Sequence, residues 1–158
     1  MENRIEKIRV IRKIDSDPDT SHLGTFDNEA ETKFAINHHE RGGDTRRSYQ
    51  WFNSSSVDTS NSDAENKKYA EQDYKRIVSL DSQAWYFMGI VAEATVYIAG
   101  VRQTLQSGGL WGIESDSEES YLKDIEIEQL SELRDILKEI GFKDEDIVTY
   151  EKIERTEE

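Results

Sequence analysis

Ile90-Val91-Ala92-Glu93-Ala94-Thr95-Val96-Tyr97-Ile98 alternates at period two, the spacing of a strand. Ile90, Ala92, Ala94, Val96 and Ile98 share one side and Val91, Glu93, Thr95 and Tyr97 the other, which predicts one buried face built from small residues. Ala99-Gly100 supplies a turn into Val101-Arg102-Gln103-Thr104-Leu105-Gln106, so a hairpin is the economical arrangement.

Upstream, Ser62-Asp63-Ala64-Glu65 matches a capping box, in which the hydroxyl and the carboxylate satisfy two otherwise unpaired backbone donors. It predicts a helix over about 63–80, with an apolar stripe of Tyr69, Ala70, Tyr74, Ile77, Val78 and Leu80. Residues 53–62 read as a polar loop. Residues 33–53 suggest an irregular hairpin around Gly42-Gly43, with Phe34 and Ile36 on one arm and Tyr49, Trp51 and Phe52 on the other. Thr20 to Phe26 suggests a short turn of helix. Ile5 to Ile14 fits a half-buried strand ending at the turn that holds the only proline, Pro18.

Downstream, Asp116 and Glu119 are placed to cap a second helix over about 117–140, and Gly141 to end it. Leu122, Ile125, Gln129, Leu130, Leu133, Ile136, Leu137 and Ile140 share one face at 100° per residue. Ile147 to Ile153 alternates and suggests a last strand, with 154–158 frayed. The sum is one α+β domain over 1–158, a mainly antiparallel sheet with two helices packed on one face.

Hydrophobic residues make up 35% of the 158 and the net charge is −14, values that lean toward partial disorder, whereas three Trp, seven Tyr and five Phe argue for a folded core. The chain has no cysteine, which excludes disulfides, thiolate metal sites and cysteine nucleophiles. Residues 1–7 lack an apolar leader core, and the stretch from Trp85 to Ile98 is broken by Gly89 and Glu93, so a soluble, unsecreted protein without a membrane partner is expected. Residues 111–158 hold 17 Asp/Glu against 6 Lys/Arg. Negative charge so concentrated repels nucleic acid and anionic membrane and attracts basic protein surfaces.

Within that third, Asp124, Glu128, Glu132, Asp135 and Glu139 fall within about 80° of one another on the second helix. The like-charged pairs 124/128, 128/132 and 135/139 each cost roughly 0.2–0.5 kcal/mol. A rod of carboxylates imitating a nucleic-acid backbone would occupy the basic groove of a nucleic-acid-binding protein; the plain alternative is a solvated face that keeps an acidic protein soluble. Ile127 lies on the acidic side, either covered by the tail or offered to a partner. Glu126 is a carboxylate inside the apolar face, for which a structural ion pair is expected, with Arg102 the candidate cation.

Other features carry less. The turn from Ser107 to Asp116 contains Gly108, Gly109 and Gly112, but Glu114, Asp116, Glu118 and Glu119 sit where a phosphate would bind, so a structural turn is the reading, with Leu110 and Trp111 packed under the helix. Asp15-x-Asp17-x-Asp19 begins like a calcium loop, but Thr20 and Phe26 stand where the glycine and bidentate glutamate belong, which excludes an EF-hand; Glu114, Asp116 and Glu118 make an equally weak cation candidate. His38 and His39 are adjacent, point to opposite sides of a strand and read as a polar surface hairpin. Arg41, Arg46 and Arg47 beside Tyr49, Trp51 and Phe52 suggest a contact with the acidic helix, within the chain or across a dimer. No cofactor is implied.

Asp17-Pro18-Asp19-Thr20-Ser21-His22-Leu23-Gly24, Tyr69-Ala70-Glu71-Gln72-Asp73-Tyr74-Lys75-Arg76, Gly89-Ile90 with Ala92-Glu93-Ala94, and above all Ser107-Gly108-Gly109-Leu110-Trp111-Gly112-Ile113-Glu114-Ser115-Asp116-Ser117 resemble a family of small uncharacterised proteins of bacteriophages, prophages and related mobile elements, over roughly residues 5–141. No activity comes with the resemblance; it implies an accessory protein in the cytoplasm of a bacterial host. The leading expectation is a non-enzymatic acidic protein that binds and blocks a host nucleic-acid-handling or defence protein. A self-associating structural or assembly protein is the second, and a metal-dependent hydrolase built on His38 and His39 the third.

Overall fold

The computed structural model describes residues 2–41, 49–148 and 152–158. In chain order the elements are β1 (Arg4–Ile14), β2 (Gly24–Asp27), β3 (Ile36–Asn37), β4 (Trp51–Ser54), α1 (Asp63–Asp81), β5 (Phe87–Ile98), β6 (Val101–Gln106), β7 (Leu110–Glu114), α2 (Glu119–Glu139) and β8 (Glu154–Glu157). They group into two compact units. One joins the residues up to Pro18 with Tyr86–Glu158; the other is Asp19–Trp85, which interrupts the first in sequence.

In the first unit β5 is the central strand. β1 pairs along one edge in antiparallel register, Val10 opposite Ala92 and Arg9 opposite Glu93. β6 and β7 divide the other edge between them, β6 pairing residues 93–98 and β7 residues 87–90. Ile8 and Val10 of β1, Met88, Ile90, Ala92, Ala94 and Val96 of β5 and Ile113 of β7 form a core with Leu122, Ile125, Leu133 and Leu137 of α2. The small side chains at 92 and 94 suit the close approach of a helix. The expected strand thus exists, three residues longer, but both of its faces are buried: Val91, Glu93 and Thr95 are covered as well. A buried carboxylate at 93 is tolerable because Arg9 Nε donates to Oε1 at 2.8 Å and Gln106 Nε2 to Oε2 at 2.7 Å. The expected hairpin closes through Ala99 (φ 51°) and Gly100 (φ 80°), two left-handed residues as a type I′ turn requires.

α2 starts at Glu119, later than the sequence suggests. Its N-cap residue is Glu118, which makes no side-chain cap, and the Glu119 carboxylate turns instead to Arg12 at 2.7 Å. Gly141 ends it as expected. At φ 108° its N–H donates to Lys138 O, and Phe142 N–H reaches back to Leu137 O, the paired bonds of a Schellman motif.

The tail differs most. Ile147 and Ile153 are buried pegs in the core, with a 3₁₀ turn at Asp144–Asp146 before them; Thr149, Tyr150 and Glu151 lie outside the described residues. The strand forms further on, over Glu154–Glu157, where fraying was expected, and it pairs in parallel with β1. Glutamate is a poor strand former, but β1 is basic. Glu158 N–H donates to Arg12 O at 2.8 Å, and the Glu158 carboxylate lies 3.3 Å from Arg9, so charge matching and the backbone ladder override local propensity.

In the second unit, β4 lies between β2 and β3, with Phe52 opposite both Phe26 and Ile36, which realises the expected hairpin. Gly42 and Gly43 lie outside the described residues. Thr20 to Leu23 makes a turn, but Gly24 onward is strand rather than helix. α1 carries the capping box as predicted, Glu65 N–H donating to Ser62 Oγ and Ser62 N–H to Glu65 Oε1. The polar segment before it is pinned in place: Ser54 and Ser56 hydroxyls donate to Asp73, and Asn66 bonds both Asp58 and Asn61. The α+β class with mainly antiparallel pairing holds. Each helix, however, lies with its own sheet, α2 with β5 and α1 with β3 and β4, where the sequence suggests one shared face.

Ala99 carries a side chain in the left-handed region that asparagine tolerates better. Ala99→Asn is expected to raise stability by about 0.5–1 kcal/mol, read as a rise of a few degrees in Tm. An unchanged or lower Tm would contradict the turn assignment.

Candidate functional site

α2 has its apolar stripe on the sheet, which obliges the opposite side to face water. Asp124, Glu128, Asp135 and Glu139 are exposed there, and none of their side chains forms a hydrogen bond or ion pair with another described residue. Glu132 is exposed too, but its Oε1 accepts the Gly108 N–H at 2.8 Å, so this carboxylate is engaged by the chain itself. Ile127 is 49% exposed at the edge of the acidic row.

The buried end of the same helix is fixed by charge. Glu126, 1% exposed, faces Arg12 Nη2 at 3.0 Å and Arg155 Nε at 3.4 Å. Arg12 also donates to Glu119, and these bonds outweigh burial and raise its guanidinium pKa further above the ordinary arginine value. The expected partner, Arg102, instead reaches Glu6 at 3.2 Å. It projects from β6 on the face away from α2, beside Tyr97, whereas Arg12 lies on the helix face in register with Ile8 and Val10.

The turn between β6 and β7 is clamped to α2. Ser107 Oγ donates to Gln129 Oε1 at 2.7 Å and accepts from Ala92 N–H; Gly109 N–H also donates to Gln129. Gly109 and Gly112 take positive φ. Trp111 does not pack under the helix: 47% exposed, it lies against Gly89, where a β-carbon would collide with its ring, while Leu110, opposite Ile90, is 40% exposed. Since Gly89 belongs to the β5 face opposite α2, β7 must carry Trp111 to that face. Asp116 sits in the connection before Glu118 and is not the N-cap of α2. Gln129 was visible in the sequence only as a polar residue in an apolar stripe, the same signal Glu126 gives.

The remaining candidates are structural. His38 is buried, its Nδ1 2.9 Å from the Tyr74 hydroxyl, within a ring cluster of Phe26, Phe52 and Tyr74. It is therefore not on a polar surface, while His39 opens a 3₁₀ turn (His39–Arg41). Asp15 accepts the N–H groups of Asp17 and Gly112, and Asp19 that of Ser21, which holds the Asp19 carboxyl below its usual range. Arg41 forks onto Glu71 of α1 at 2.7 and 2.8 Å rather than onto α2; Arg46 and Arg47 lie outside the described residues. No helix among the described residues is long and apolar enough to cross a membrane. No protein-family model, curated protein or solved structure matches this chain.

Removing Arg12 leaves Glu126 buried with one poorly aligned cation. Arg12→Leu is expected to cost about 3 kcal/mol, most of it recovered when Glu126→Leu is added; urea unfolding of the two variants checks this, and additive losses would contradict the pairing.

Burial raises the Glu93 carboxyl, but Arg9 and Gln106 outweigh it and the net shift is downward; Arg12 lowers Glu119 and Arg41 lowers Glu71. A carboxylate held low in the folded chain takes up its proton more readily when unfolded. Its contribution is complete above the unfolded value of roughly 4.3 and is lost as pH falls through the folded value. Urea midpoints should therefore drop on acidification below about pH 4.5, and Glu93→Gln should flatten that drop; parallel profiles would contradict it.

Proposed function

We propose that this protein is a non-enzymatic acidic interaction protein of the phage accessory type, acting in the cytoplasm of a bacterial host by occupying the basic groove of a nucleic-acid-handling or defence protein. One observation carries the reading: four exposed carboxylates in a row on α2 have no side-chain partner among the described residues, and the helix keeps their mutual repulsion. From Asp124 to Glu139 the row spans about 22 Å, so with Glu132 it offers roughly one charge per 5–6 Å. A nucleic-acid strand offers one per about 3.4 Å, near enough for lysines and arginines that reach phosphates to reach these carboxylates instead. The setting rests on the resemblance of residues 107–117 to mobile-element proteins. The electrostatics suits fast, salt-sensitive association.

Reversing Asp124, Glu128, Asp135 and Glu139 to Lys, with Glu132 left intact because it holds Gly108, tests the reading. Immobilised wild-type protein should retain a basic nucleic-acid-binding protein from bacterial lysate at low salt, release it to added duplex DNA, and lose at least about tenfold of this capture in the folded quadruple variant. Retention indifferent both to duplex DNA and to the reversal would reject the mechanism.

A further inference from the structure

Beside the acidic row runs an apolar cleft of about 190 Å³. Its floor is buried Leu133, Leu137 and Ile153, and its rim carries Ile127, 49% exposed, and Val148, 42% exposed. Exposed aliphatic residues above an apolar floor mark a contact surface more often than scattered single ones do. The cleft is smaller than the roughly 300–1,000 Å³ pockets that enclose small-molecule ligands, a size suited to one or two aliphatic side chains. Its surroundings are anionic. Asp124 lies three residues before Ile127 and Glu128 directly after it, while exposed Glu145 and Asp146 precede Val148 on the opposite bank, and none of the four side chains has a partner among the described residues. The single cation among the described lining residues, Arg134, is neutralised by Asp144 at 3.1 Å.

We infer that this cleft docks a basic amphipathic helix of the partner protein, which inserts an aliphatic anchor between Ile127 and Val148 and sets lysine or arginine against the carboxylates on either bank. The inference rests on the reading of the acidic row as a recognition surface, and it adds a specificity element that charge alone lacks, since a nucleic-acid mimic without an anchor would bind every basic surface alike.

Two labelled 18-residue lysine/alanine helices test it, one bearing leucine at two positions four apart and the other serine at the same positions. Fluorescence anisotropy should show the leucine peptide binding wild-type protein about tenfold tighter than the serine peptide, the factor expected for burying one aliphatic anchor. Ile127→Ser with Val148→Ser should erase that preference and leave the affinity for the serine peptide unchanged; both positions are surface-exposed, and a thermal melt confirms the fold. Equal binding of the two peptides by wild-type protein, or a preference that survives the double substitution, overturns the inference. Asp124→Lys with Glu128→Lys should weaken both peptides alike; if it weakens neither, the acidic-surface reading falls and the basic occupant with it.

Discussion

β1 carries arginines on both of its faces, and each neutralises a carboxylate that the fold buries. Arg9 meets Glu93 on one side of the sheet and Arg12 meets Glu126 on the other. An ionised carboxylate at either place without its arginine would cost several kcal/mol of desolvation. The other parts of the first unit depend on this strand: β5 through the ladder, α2 through Arg12, β8 through backbone bonds and the matching of glutamate to arginine. Each carboxylate that this sheet buries is thus matched by an arginine, so the interior is close to neutral. What remains outside is accordingly negative.

That partition accounts for the character of α2. Its apolar and polar residues divide between a face fixed by core packing, by Arg12 and by the Gln129 clamp, and a face with almost no obligations. Within the acidic row only Glu132 bonds another described residue, as acceptor for Gly108. The difference between Glu132 and its neighbours separates a carboxylate that positions a turn from carboxylates available to another molecule.

Local rules made much of this legible in advance. The capping box placed α1, period two placed β5, Ala99-Gly100 placed the hairpin and Gly141 the end of α2. The failures share one cause, which is that pairing partners far apart in sequence leave no local trace. β8 is a run of glutamate, arginine and threonine that becomes a strand because β1 lies beside it. Glu126 advertised the need for a cation but not which one, and Arg12 and Arg155 approach from strands more than a hundred and nearly thirty residues away. His38 looked polar until Tyr74 and Phe26 closed around it. The acidic row was legible as a pattern, whereas its freedom from internal partners became visible only with the fold.

The adjacency of β1 and β8 has a consequence for how the chain comes into being. Asp19–Trp85 is contiguous and can close on itself while the ribosome is still adding residues. The sheet that starts with β1 must wait for its last member, since backbone bonds tie Ile14 and Arg12 to Glu158. Contacts so distant in sequence make for slow closure. Until β5 and α2 have followed it, Arg9 and Arg12 lack Glu93, Glu119 and Glu126, and β1 is a basic strand without its counter-charges.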